Sequence, residues 1–329
     1  MKGIVFTKFG TPDDVLKVKE VKKPVPKANQ VLIKVKNSAI NGGDYSFFTN
    51  QIKSGKNSFS DRLMALTLGS VGKVLGSEIA GIVEEVGKNV TSIKKGNEVF
   101  APTANGILGG WAEYALANEK QIAIKPSNLS FEQAAAIPIG GITAFGAVSK
   151  ANIQKEKQVL VYGASGGVGQ YVVQLSKALG GIVTAVCSTR NVEIVRKIGA
   201  DFVIDYKNED FTKTDRKYDA IIAVNGYNSL GKYKKILNRN GVYVAIGGAK
   251  QGMFGLLFGW LYSIFTSKKM TASTYFLATK QQPLQYLGKL AEESKITPFI
   301  EKTIPMNKIG DAMTYIIKNH AQGKIVIEI

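Results

Sequence analysis

Glycines at 163, 166, 167 and 169 punctuate the stretch VLVYGASGGVGQYVVQLSK, Val159 to Lys177. An apolar run of strand character ends at Gly163, and a segment of helical periodicity follows Gly169. The spacing is close to the G-x-G-x-x-G dinucleotide loop, with Ala164 in place of the first glycine. In such a loop Gly166 lets the backbone approach a pyrophosphate, and Gly169 lets the helix pack closely on the strand. The free N–H groups of the helix start offer partial positive charge to the phosphates. Gly163, Ala164, Ser165, Gly166, Gly167, Val168 and Gly169 are therefore the expected cofactor cradle.

The end of the next strand selects the cofactor. An NAD site normally carries an acid there, about 20 residues past the loop, for the ribose 2′-hydroxyl. Here the chain reads CSTRN, Cys187 to Asn191, with no acid. Ser188 and Thr189 can donate to a 2′-phosphate, and Arg190 offers a charged fork of donors, so the expected cofactor is NADPH. The alternative is that Arg190 is a solvated helix-start residue. Tyr206, after the third strand, is placed to flank the adenine or is simply a half-buried aromatic. Asn225 and Gly226, and Gly247 and Gly248, end the fourth and fifth strands, where ligands gather in open parallel sheets. Cys187 reads as a small buried strand residue rather than a redox thiol.

What is missing narrows the chemistry further. The 329 residues contain one histidine, His320, and one cysteine. Neither has a second ligand at metal spacing, and one cysteine cannot build a structural zinc lobe. A hydrolase triad would need His320 as its base, and there is no Gly-x-Ser-x-Gly elbow. No metal is expected. The formal net charge is +18, yet the lysines are spread along the chain. Arginine, the better base-reading residue, occurs only at positions 62, 190, 196, 216 and 239. Nucleic-acid binding is not expected, although a basic surface attracts an anionic cofactor.

These residues need a scaffold, and the length predicts two domains. VLIKVKNSAI, Val31 to Ile40, alternates apolar and polar as a half-buried strand does. IAGIVEEVG, NEVFA, AEYAL and QIAIKP are further short strands, which together suggest a barrel-like or sandwich domain. Residues 42–74 read as a long loop with a short helix around 60–68. From about Pro126 strands and helices alternate: QVLVYG, IVTAVC, FVI, DAIIAVN and VYVAIGG are strands of a parallel, doubly wound sheet. The expected division is residues 1–125 completed by 274–329, with 126–273 as the nucleotide-binding domain.

At this point the sequence resembles the zinc-free medium-chain dehydrogenases/reductases of the quinone oxidoreductase and enone reductase group. The resemblance spans nearly the whole chain. It rests on GSEIAGIVEEVG (76–87), AAAIPIGGITA (134–144), VYGASGGVGQYVVQLSK (161–177), GADFVIDY (199–206) and the terminal GKIVIEI. It implies a GroES-like β-barrel domain plus a Rossmann domain, with the cofactor in the cleft between them. It also implies that a histidine which ligates zinc in the zinc-dependent members is replaced here by Ser77, and that the cysteine ligand is missing near Asn41 to Tyr45. By family position Asn41, Asp44 and Tyr45 are the catalytic candidates near the nicotinamide, with Tyr45 as proton donor or else a surface aromatic. The family often has N-P-V-D where this chain has NGGD. Thr143 matches a position facing the nicotinamide, and Lys324 approaches the cofactor or stands solvated. Glu78 is expected to be a structural acid bonded to backbone or to a basic residue.

The function so implied is NADPH-dependent, metal-independent hydride transfer to a quinone or α,β-unsaturated carbonyl; the alternative is a non-catalytic NADPH-binding regulatory or membrane-associated protein. A hydrophobic small-molecule substrate and a homodimer are expected. No apolar stretch reaches the ~20 residues that span a bilayer, and no signal peptide is evident, so a cytoplasmic location is expected. The run Met253 to Phe265 reads as a buried or interface helix, or as a substrate wall or membrane-surface contact assisted by Lys268 and Lys269.

Overall fold

A computed structural model describes residues 1–45, 71–224, 228–247, 267–272 and 281–329. The expected helix around 60–68 and the run 253–265 lie outside the described residues, as do Asn225, Gly226 and Gly248.

In chain order the elements are β1 (Lys2–Phe6), α1 (Pro12–Val15), β2 (Leu16–Glu20), β3 (Gln30–Ala39), α2 (Gly42–Tyr45), β4 (Glu78–Val86), β5 (Glu98–Pro102), β6 (Tyr114–Asn118) and β7 (Ala123–Ile124). Then follow α3 (Phe131–Ala136), α4 (Pro138–Ala151), β8 (Gln158–Tyr162), α5 (Gly169–Ala178), β9 (Ile182–Cys187), α6 (Val192–Lys197), β10 (Phe202–Asp205), β11 (Tyr218–Val224), α7 (Leu230–Ile236), β12 (Leu237–Ile246) and β13 (Lys269–Ala272). The chain closes with α8 (Gln281–Glu292), β14 (Ile300–Pro305), α9 (Ile309–Asn319) and β15 (Lys324–Glu328).

The chain divides into two compact units, Met1–Ile139 with Lys280–Glu292 and Ile300–Ile329, and Gly140–Thr279 with Glu293–Phe299. The first is the barrel. Its main sheet runs β14-β15-β3-β4-β5-β7, with β6 also paired to β3. The alternation that predicted β3 sends Val31, Ile33 and Val35 into one core with Ile79, Val83, Val99 and Ala115. β15 lies antiparallel to β3, Val326 opposite Ala39, so the last strand is built into the sheet that carries Asn41 at its edge. Residues 126–139 belong to this unit, because α3, started by a Ser130–Gln133 capping box, packs on β3, β4 and β15. The sequence pattern shifts near Pro126, before the boundary between units.

The second unit carries a six-stranded sheet, β10-β9-β8-β11-β12-β13, parallel throughout. β8 is nearly featureless and apolar, as a strand covered on both faces must be. Residues 293–299 also belong here rather than to the barrel. Two buried glutamines of α5 hold them: Gln170 accepts from the Phe299 N–H at 2.6 Å, and Gln174 accepts from the Thr297 N–H at 2.7 Å. Among the described residues no helix is long and apolar enough to cross a membrane.

Candidate active site

In the sheet unit, the chain leaves β8 at Gly163 with φ +74°, a left-handed conformation that favours glycine. A Cβ there would also overlap the carbonyl oxygen of Val224 on β11. The Gly163 and Ala164 N–H groups both donate to the Val186 carbonyl of β9, at 3.1 and 3.3 Å. Gly169 opens α5, and a Cβ on it would overlap the Gly163 carbonyl oxygen. α4 also approaches here, since a Cβ on Gly140 would lie 2.7 Å from the Gly167 oxygen. At Gly166 the nearest described atom to such a Cβ is the Gly163 oxygen, at 3.6 Å. Among the described residues nothing accepts from the N–H groups of Ser165, Gly167, Val168 and Gly169. Val168 and Gly169 are orphan donors at the start of α5, Ser165 and Gly167 lie in the loop before it, and together they suit a pyrophosphate.

Beyond β9, Thr189–Asn191 form a single 3₁₀ turn, with Thr189 and Arg190 exposed. The Ser188 hydroxyl accepts from Asn191 Nδ2 at 3.1 Å. Cys187 is buried, and burial followed by the nearby Asp205 carboxylate pushes its thiol up to about 11, so it stays protonated. The one acid in register with Cys187, Asp205 on β10, is engaged with the Lys207 N–H and Asn208 Nδ2 at 3.0 and 2.7 Å. Tyr206 is 44% exposed, its ring stacked on Tyr162 with centroids 6.3 Å apart. Thr143 is half-buried on α4, and Gly247, at φ +66°, ends β12.

In the barrel unit a second constellation forms where β3, β4 and β15 meet. The Asn41 side chain donates to Ser77 Oγ at 3.0 Å and to Glu78 Oε1 at 2.7 Å, and its Oδ1 accepts from Lys324 Nζ at 2.6 Å. Lys324 Nζ also donates to Glu78 Oε1 at 2.6 Å and to the Ile40 carbonyl at 3.2 Å. Glu78 Oε2 accepts from the Ile139 N–H at 2.6 Å, in the first turn of α4, where a carboxylate also complements the helix dipole. Asp44 Oδ2 accepts from the Asn41 N–H at 2.8 Å and from the Ser77 hydroxyl at 3.1 Å. Lys324 and Glu78 are 2% and 0% exposed, and Asp44 is 0% exposed.

The expectation for Glu78 is met in full, with backbone and a basic residue both as partners. Lys324 is not solvated: its three ammonium donors have three acceptors inside this cluster. Asn41 and Asp44 likewise turn their polar atoms inward and hold one another. Tyr45 remains half-buried on α2, packed against the core that contains Ile4, Trp111 and Met313. Neither Ser77 nor Glu78 was among the predicted site residues. The sequence singled both out through the GSEIAGIVEEVG stretch, and what the fold adds is that both bond the Asn41 side chain.

Comparison with known proteins places this geometry. The family described as alcohol dehydrogenase GroES-like domain matches residues 27–127, and that described as zinc-binding dehydrogenase matches residues 198–327. The chloroplast envelope quinone oxidoreductase homolog of Arabidopsis thaliana is 31% identical, over 100% of this chain and 98% of its own length. The chain belongs to the medium-chain dehydrogenase/reductase family, in its quinone oxidoreductase and enone reductase-like group. The NADPH-dependent alkenal/one oxidoreductase of the Arabidopsis chloroplast is 30% identical, over 99% of this chain and 79% of its length. The solved quinone oxidoreductase of Coxiella burnetii superposes with a TM-score of 0.85 at 28% identity, covering 100% and 99% of the two chains. This medium-chain reductase therefore combines a GroES-like barrel with a Rossmann sheet and is an oxidoreductase using a nicotinamide cofactor. Ser77 is bonded on both sides to protein groups.

Proposed function

We propose that this medium-chain reductase uses NADPH to reduce quinones or α,β-unsaturated carbonyl compounds, without a metal ion. The observation that carries the reading is the closed cluster of Asn41, Asp44, Ser77, Glu78 and Lys324. Oxidising a simple alcohol calls for a metal or a free base at the hydroxyl. Here Ser77, Asn41 and Lys324 are committed to one another, and the positive charge is spent on Glu78. A conjugated acceptor needs less, because its carbon is already activated and one hydrogen-bond donor at the carbonyl oxygen is enough. Tyr45 is the proposed donor, and the inward-facing cluster holds α2, and hence Tyr45, in place.

The loop fits a dinucleotide: two glycines whose Cβ would collide with backbone, room at Gly166 among the described residues, and four N–H groups with no acceptor among the described residues. Bound NADPH supplies the hydride. Ser165 to Gly169 would hold its pyrophosphate, Ser188, Thr189 and Arg190 its 2′-phosphate, and Tyr206 its adenine, with Thr143 and Gly247 lining the same site. The names of the relatives support both cofactor and substrate class. The substrate is hydrophobic, the chain acts as a homodimer, and its lone cysteine suits a reducing, cytoplasmic setting.

The test is NADPH oxidation across a panel of quinones, enals and enones, with Tyr45→Phe as the control. Turnover with at least one class, reduced in Tyr45→Phe, is expected. Tight NADPH binding with no turnover on any of them would instead point to a non-catalytic NADPH-binding protein. Arg190→Ala is expected to raise KM for NADPH roughly 10- to 100-fold, the equivalent of one charged hydrogen bond of about 1.5–3 kcal/mol, and to leave KM for NADH unchanged. Equal kcat/KM for the two cofactors in the unaltered protein would refute the 2′-phosphate assignment.

A further inference from the structure

The buried cluster contains two carboxylates and one ammonium. Lys324 is bonded to Glu78 and not to Asp44. Asp44 is fully buried, and its Oδ1 receives no hydrogen bond from any described group. The charged groups that face it are Glu78 from β4 and Lys324 from β15, and its polar contacts are the Asn41 N–H and the Ser77 hydroxyl, both at Oδ2. If both acids were ionised, the cluster would carry a net negative charge away from water, with one carboxylate oxygen wholly unsolvated. If Asp44 holds a proton, the cluster is neutral and the cost is one unpaired neutral hydroxyl, which is smaller than that of an uncompensated charge.

We propose that Asp44 stands as a neutral acid with its proton on Oδ1, and that this proton keeps the Asn41–Ser77–Glu78–Lys324 cluster uncharged while negative charge develops on a bound carbonyl oxygen. Asp44 is thus a positioning and charge-setting residue, not one that touches substrate. Burial, first, and the Glu78 charge raise its carboxyl to about 7, against lowering by the Asn41 N–H, Lys324 and Ser77. The functional half rests on the proposed carbonyl reduction; the protonation half does not.

The experiment is infrared difference spectroscopy on the full chain without cofactor, comparing the unaltered protein with Asp44→Asn. A carboxylic-acid C=O stretch is expected below neutrality, absent in Asp44→Asn and titrating away as pH passes about 7. If Asp44→Asn fails to fold, Ser77→Ala replaces it. Loss of the Ser77 hydrogen bond, which favours the ionised form, is expected to move the same titration to higher pH. No acid band below neutrality, or a band unmoved by either variant, overturns the proposal. In turnover, kcat/KM is expected to fall about tenfold per pH unit above that midpoint, with the limb abolished in Asp44→Asn. A limb that survives in Asp44→Asn would overturn the functional half. Failure of every carbonyl substrate would sink the proposed function and leave the infrared result standing.

Discussion

Lys324→Met is expected to destabilise the protein by about 3–5 kcal/mol, because it leaves Glu78 as a buried charge with no counter-ion. The two side chains are 2% and 0% exposed and 2.6 Å apart, so solvent cannot replace the lost partner. The methylene stem survives in methionine, which keeps the packing and confines the change to the ammonium. That ammonium also satisfies Asn41 Oδ1 and the Ile40 carbonyl, and both acceptors would be left buried. Urea denaturation of Lys324→Met, Glu78→Gln and the double variant measures the effect. The double variant is expected to cost less than the sum of the singles, with a coupling of about 1–3 kcal/mol. Added salt should change these values little, since screening acts on exposed charges. Additivity of the two singles would show that the pair is not a unit.

The second large effect is at the proposed cofactor loop, where two glycines are expected to have opposite roles. Gly169→Ala drives a methyl into the Gly163 carbonyl and to within 2.9 Å of two Ala164 backbone atoms. Backbone at the end of β8, a strand paired on both sides, cannot swing aside as a side chain can, so overpacking here is expected to cost about 1–3 kcal/mol and to distort the loop. Among the described residues Gly166→Ala meets only the Gly163 oxygen, at 3.6 Å. Its stability is expected to stay within ~0.5 kcal/mol of the unaltered protein, while the methyl occupies the flank proposed for the pyrophosphate. Thermal unfolding separates the two, and fluorescence titration with NADPH is expected to show weakened binding in both. Full NADPH affinity in Gly166→Ala would remove the pyrophosphate from that flank.

The strands were readable because their signals are local. Alternation over Val31 to Ile40 describes β3 within one residue at each end, and the unbroken apolar runs describe β8 and β9. α4 was not readable, because Gly140, Gly141 and Gly146 lower its helix propensity. The reason for Gly140 lies elsewhere in the fold, where a Cβ would meet the Gly167 oxygen and the Tyr171 ring. β1 and β13 were missed as well: β1 pairs with β2 and β13 with β12, and neither short segment has a distinctive pattern of its own.

The same division runs through the site. The glycine loop, the missing acid after β9 and the scarcity of histidine and cysteine are properties of the sequence alone. They led to the expected nucleotide cradle, the expected preference for a 2′-phosphate, and the expectation of no ordinary zinc ligands, because each depends on residue type over a short span. The tertiary structure decided what Asn41, Asp44, Glu78 and Lys324 do. Glu78 and Lys324 are 246 positions apart, and a lysine near the end of a chain has no local reason to be buried. Only the antiparallel pairing of β15 with β3, and of β3 with β4, brings that ammonium to that carboxylate. Once buried, the strength of charge–charge interaction in a low-dielectric interior makes the pair, rather than solvent, the partner of each.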